Sequence, residues 1–191
     1  MLTISYEAYC QKKNEFAFVL QVENTAKHSE EINPGAIKTS HTGWNLGFGG
    51  QYERLFSKHS SGILGVRKVL IDIYIPIATG ANFTDYAHFL VAENFLTIPI
   101  AYKYNYSFVS ISAGTTFDYF FSWKEQRQSY APLQTYDKFL DKNFSIGLLG
   151  SISKKIPIDK RIILEPTVYY NRMLTFERTY FGGSLEIKYR L

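Results

Sequence analysis

Apolar side chains recur at every second position over eight segments of this 191-residue chain, and helical periodicity is scarce. A period of two is the geometry of a β-strand, whose successive side chains point to opposite faces. The first stripe is Phe16, Phe18, Leu20 and Val22, and the second Trp44, Leu46, Phe48, Tyr52 and Phe56. The third runs Val69, Ile71, Ile73 and Ile75, opposite Lys68, Asp72 and Tyr74. Leu96, Ile98, Ile100, Tyr102 and Tyr104 form the fourth, and Val109, Ile111, Ala113, Phe117, Tyr119 and Phe121 the fifth. Phe144, Ile146, Leu148 and Ile152 follow, then Ile162, Leu164, Val168 and Tyr170, and finally Phe181, Leu185, Ile187, Tyr189 and Leu191. Eight antiparallel strands are expected.

The connections alternate in length. Lys58–Gly62, Asn105–Ser107 and Lys154–Lys160 are short turns, whereas Glu23–His41, Ala78–Asn94 and Ser122–Asn143 are long loops, with a shorter one at Thr175–Tyr180. Tight turns at one end and long loops at the other are the habit of outer-membrane barrels. Alternation alone leaves open which face is inside, since a lipocalin-like barrel has the same period in the opposite sense. Size decides it: about thirty-five bulky apolar side chains share one face, and an eight-stranded barrel is only just wide enough for side chains to fill. The other face carries small residues, among them Ala17, Gly47, Gly49, Ser110, Ser112, Gly114, Ser145, Gly147, Ser151, Gly182 and Ser184. Small goes in and large goes out. The outward band suits about 25 Å of hydrocarbon, and Trp44, Tyr102, Tyr104, Tyr119, Tyr170 and Tyr189 lie towards strand ends, where girdle aromatics belong.

The lumen face also carries Glu53, Lys68, Asp72, Asp118, Glu165, Glu186, Lys188 and Arg190. Unpaired charges in a narrow interior cost several kcal/mol each, so a mixed-sign polar plug is expected rather than an ion path. Arg54 and Arg67 fall on the nominally apolar side near a short turn, within reach of headgroup phosphates.

Several classes fall away. No apolar run approaches the roughly 20 residues of a membrane-crossing helix. With aromatics at 17% the chain is not disordered. The single Cys10 excludes a disulfide framework and any multi-cysteine metal site. A net charge of +4 spread along the chain argues against a nucleic-acid partner. Residues 1–13 have no signal-peptide pattern and read as an N-terminal segment, the remnant of a leader if one was trimmed, before a barrel domain over 14–191.

The run Phe95-Leu96-Thr97-Ile98-Pro99-Ile100-Ala101-Tyr102-Lys103-Tyr104, followed by Val109–Thr116 with Ala113-Gly114, resembles the hallmark of the PorT-like outer-membrane β-barrel family typical of Bacteroidetes. Glu165-Pro166 and the closing strand from Gly182-Gly183 to Leu191 fit its C-terminal half, and the resemblance covers roughly 16–191. It implies a monomeric eight-stranded up-and-down transmembrane barrel, inserted by the outer-membrane assembly machinery and, for most members, without a defined activity. Two departures from that pattern are read: residues 1–13 do not have the form of the usual leader, and the last residue is Leu191 instead of an aromatic one.

No catalytic, cofactor-binding or metal-binding residues are assigned. His28, His41 and His88 fall at the long-loop end near Ser29, Ser40 and Asp85, a weak pattern for a lipid-modifying acyl hydrolase or transferase, and His59 lies at the other end. No His-x-His or Glu-x-x-His spacing occurs on a strand. Gly47-Phe48-Gly49-Gly50 precedes no helix and is not a phosphate loop. Lys124, Arg127, Lys138 and Lys142 could meet lipopolysaccharide phosphates, although Glu125, Asp137 and Asp141 balance them. The expectation is therefore a monomer of the cell outer membrane, not an enzyme and without cofactor. Its role is structural or interactive, its partners are membrane lipid and lipopolysaccharide, and its long loops are the contact surface. The alternatives are a lipid-modifying outer-membrane enzyme and a soluble lipocalin-like carrier. The Gly-x-Trp element of such carriers is not found, since Gly43 directly precedes Trp44.

Overall fold

A computed structural model describes residues 14–25, 29–31, 38–40, 44–79, 85–127, 143–176 and 178–191. Each alternating segment forms a strand: β1 (Asn14–Thr25), β2 (Trp44–Leu55), β3 (Ser60–Thr79), β4 (Asp85–Asn105), β5 (Ser110–Arg127), β6 (Phe144–Ser153), β7 (Ile162–Met173) and β8 (Arg178–Arg190). Neighbours in sequence pair antiparallel, and β8 returns to β1 through Phe18↔Ile187 and Leu20↔Leu185, so the sheet closes on itself. Closure leaves the spanning region without open edges, as strands crossing a hydrocarbon layer require. Ile156–Pro157 extends the β6–β7 hairpin, and Ser29–Glu31 pairs with Lys38–Ser40 in a small separate hairpin.

Seven of the eight apolar stripes face outward as expected, from Phe16 and Phe18 on β1 to Ile187 and Tyr189 on β8, and the small residues line the lumen. The third is inverted. Val69 and Ile71 are buried inside, while Leu64, Val66 and Lys68 face out. Alternation shows which residues share a face but not which face is inside, and here Val69 and Ile71 meet an aromatic layer in the lumen while Lys68 and Asp72 take the outward parity. Lys68 is accommodated outside with its amine 5.9 Å from the centroid of the Phe121 ring.

Three loops are shorter than the sequence suggests. Residues 85–94 continue β4, 122–127 continue β5 and 23–25 continue β1. The β2–β3 ladder ends at Leu46↔Leu70 and the β5–β6 ladder at Tyr119↔Phe144, yet β3 and β4 pair on to Thr79↔Asp85. With 20, 21 and 18 residues against the 9–11 or so that cross a bilayer, β3, β4 and β5 project as a three-stranded extension on the long-loop side.

The narrow bore depends on glycine at close strand approaches. A Cβ on Gly114 would lie 2.1 Å from the Ile100 carbonyl oxygen and 2.5 Å from the Ala101 Cα. Gly114→Ala is therefore expected to cost about 1–3 kcal/mol in urea unfolding of the refolded barrel. Gly150, on the outward face with nothing within 4 Å of its Cβ position, is the control: its alanine variant should stay within about 0.5 kcal/mol of the parent.

Candidate functional site in the barrel lumen

Alternate positions of five barrel strands, with Lys155 from the β6–β7 connection, aim eight charged side chains into the short-turn half of the lumen. Lys188 sits at the centre of the cluster. Its Nζ meets Glu165 Oε2 at 2.7 Å, Glu186 Oε2 at 3.2 Å, and Glu53. Lys103 pairs with Glu53 at 3.2 Å and with Glu165. Lys155 bridges Glu15 (3.1 Å) and Glu53 (3.0 Å), and Arg190 Nε reaches Glu15 at 3.3 Å. The hydroxyls of Ser61 and Ser153 donate to Glu53 and Glu165. Four carboxylates face four cations, so the cluster is neutral and hydrogen-bonded, the condition under which buried ions are tolerated.

The middle layer is polar but mostly uncharged. Arg67 donates to Gln21 Oε1 (3.0 Å) and Gln51 Oε1 (2.7 Å), and Gln51 Nε2 passes the network on to Glu186 (3.0 Å). Asp118 accepts from Thr97 (2.7 Å) and Thr116 (2.8 Å), and Tyr169 donates to Glu23 at 2.7 Å. Two cavities of about 20 Å³ each flank this layer, sharing Arg67, Pro99, Leu149 and Tyr169 as walls. Each has room for roughly one water.

The long-loop half is apolar and aromatic. Phe95 packs on Phe120 (5.5 Å between centroids) and edge-on to Phe176 (5.7 Å), beside Val69, Ile71, Met173 and Tyr180. Phe176 belongs to the β7–β8 turn, which folds back into the bore. Thr175 N donates to Ser145 Oγ (3.1 Å) and Leu174 N to the Ile146 carbonyl (2.8 Å), holding the turn inward. The Arg178 guanidinium lies 5.7 Å from the Phe176 centroid and its Nη1 is 2.5 Å from Glu93 Oε2, both partners fully buried. Among the described residues, ion cluster, amide layer and aromatic cork follow one another along the lumen.

Solved structures share this architecture. The outer membrane protein OprG from Pseudomonas aeruginosa aligns over 94% of this chain and 96% of its own with a TM-score of 0.64 and 13% identity. This chain has the outer-membrane β-barrel fold. The N-terminal β-barrel domain of Pseudomonas aeruginosa OprF (TM-score 0.47, 9% identity, 95% and 100% coverage) and Ail, the attachment invasion locus protein of Yersinia pestis (0.46, 10%, 94% and 99%), are more distant. No protein-family model matches, and no curated protein does. An eight-stranded barrel closed on itself, apolar outside and polar within, is a membrane-spanning barrel of the outer-membrane class.

In this outer-membrane barrel, Glu53, Asp118, Glu165, Glu186, Lys188 and Arg190 occupy the lumen as the sequence predicts, and Arg54 is exposed outside near its short turn. Two residues exchange sides with β3's inversion: Arg67 is buried in the lumen and Lys68 faces out. Asp72 shares the outward parity of Lys68 and is half-buried, its backbone N–H donating to Asn45 Oδ1 at 3.3 Å. Glu15, Gln21, Gln51, Lys103 and Tyr169 are lumen residues that reading by charge alone passed over; their parity opposite Phe16, Tyr52, Tyr102 and Tyr170 was the available signal. Lys155 and Phe176 lie in connections, where no parity rule applies. His59 stands at the short-turn mouth, its Nδ1 3.1 Å from the Asn105 carbonyl. His28 and His41 lie outside the described residues, as do the side chains of His88, Ser29, Ser40 and Asp85. Lys124 is exposed near the top of β5, whereas Lys138, Lys142 and the side chain of Arg127 are outside the described residues.

Proposed function

We propose that the protein is a non-conducting structural or interaction barrel of the outer membrane, a monomer of the PorT-like group whose contact surface is the β3–β4–β5 extension and the loops around it. The filled lumen carries this reading. A transporter of solutes needs a path, whereas here ion pairs, amides and the Phe176 cork occupy the bore in succession. The family assignment is supported by the pairing of the Ile98-Pro99 and Ala113-Gly114 elements on adjacent strands, through Ala101↔Gly114 and Pro99↔Thr116. Contact with lipopolysaccharide is supported by exposed Lys124 beside the outward belt. Insertion by the outer-membrane assembly machinery accords with the closed antiparallel topology.

Planar-bilayer recording tests the central point. The wild-type barrel is expected to show no stable open level, and a steady channel would overturn the reading. Phe176→Ala, which removes the cork but leaves the ion cluster, is expected to stay closed, because the charged layer seals the opposite half independently.

A further inference from the structure

At the short-turn mouth the lumen opens into a vestibule of about 200 Å³. Among the described residues its lining includes one carboxylate, Glu15, already held by Lys155 (3.1 Å) and by Arg190 Nε (3.3 Å). The donors around it exceed the acceptors. Lys58, exposed on the β2–β3 turn, makes no ion pair with any described residue, and the two terminal nitrogens of Arg190 have no hydrogen-bond partner among them. Asn105 Oδ1 accepts from Ser110 Oγ at 2.8 Å, while Asn105 Nδ2 is buried in the wall without a partner. Phe108, 82% exposed, and Tyr106, edge-on to Tyr104 at 4.6 Å, form an aromatic rim at the opening.

We propose that this vestibule is an oxyanion site, taking one carboxylate or phosphate group of a small organic anion on Lys58 and Arg190. The two cations supply charge-assisted hydrogen bonds, and the net positive lining draws the anion in. The rim rings cover whatever apolar portion the anion carries. A free anion and a phospholipid headgroup offer the same chemistry, and the membrane composition separates them.

The test is amide-resolved NMR of the full chain in phosphatidylcholine nanodiscs, titrated with inorganic phosphate and with succinate. A parallel arm uses nanodiscs containing phosphatidylglycerol and no added anion. Shifts confined to residues 105–110 and the Lys58 turn are expected, with a dissociation constant of about 1 mM for the soluble probes. Lys58→Gln should weaken binding about tenfold, the loss of one charge-assisted bond. Lys160→Gln, exposed on the β6–β7 turn outside the vestibule, should leave it unchanged. Response to the soluble probes assigns the site to free anions, and response in phosphatidylglycerol alone assigns it to headgroups. No response in either arm, or equal weakening by Lys160→Gln, overturns the proposal.

Discussion

Lys188→Met is expected to destabilise the folded barrel by about 3–5 kcal/mol, read from urea unfolding of protein refolded into bilayers. The methionine fills most of the volume but leaves Glu53, Glu165 and Glu186 facing one another with their shared counter-ion gone. Lys103 and Lys155 remain on Glu53, so the cluster keeps partial neutrality and the loss stays below that of three isolated buried ions. Adding Glu53→Gln to Lys188→Met restores the balance of charge and should recover part of the loss, a coupling that a purely steric role for Lys188 would not produce. A single-variant loss under about 1 kcal/mol would mean that these charges are solvated and that the plug is open to water.

Three residues away, the opposite substitution should harm for the opposite reason. Leu185 faces outward on β8, paired with Leu20 and Pro166 and midway between Phe181 and Tyr189. An arginine near the bilayer midplane costs about 2–4 kcal/mol on the lipid face of a barrel. Leu185→Arg should lose that much in the same assay, while Leu185→Met should be close to neutral. A soluble carrier with this face in water would tolerate the arginine, so an unchanged unfolding midpoint would remove the membrane-spanning reading altogether.

Both expectations rest on parity, and parity is what a sequence displays. Side chains on a strand alternate by covalent geometry, so Phe16 to Val22 and Phe181 to Leu191 announce their faces without any knowledge of neighbours. The contrast between glycine or serine on one face and bulky residues on the other then orients seven stripes correctly, because a bore of eight strands admits only small side chains in quantity.

The tertiary structure decided what depends on residues far apart in the chain. Arg67 is inside, where the pairing of β1, β2 and β3 brings Gln21 and Gln51 to its guanidinium, a meeting that no single strand's alternation encodes. The sense of β3 turned on an aromatic layer contributed by β4, β5 and the β7–β8 turn, which receives Val69 and Ile71 inside the lumen. Phe176 lies in a turn, where no periodicity directs a side chain, and only its packing on Phe95 and Arg178 turns it into a cork. The sequence by itself thus determined the strands and which way most of them face, because these follow from each strand's own backbone. Which charges pair, how far β3 to β5 rise and what seals the bore were left to the folded barrel, since each depends on contacts between different segments that no single strand's backbone encodes.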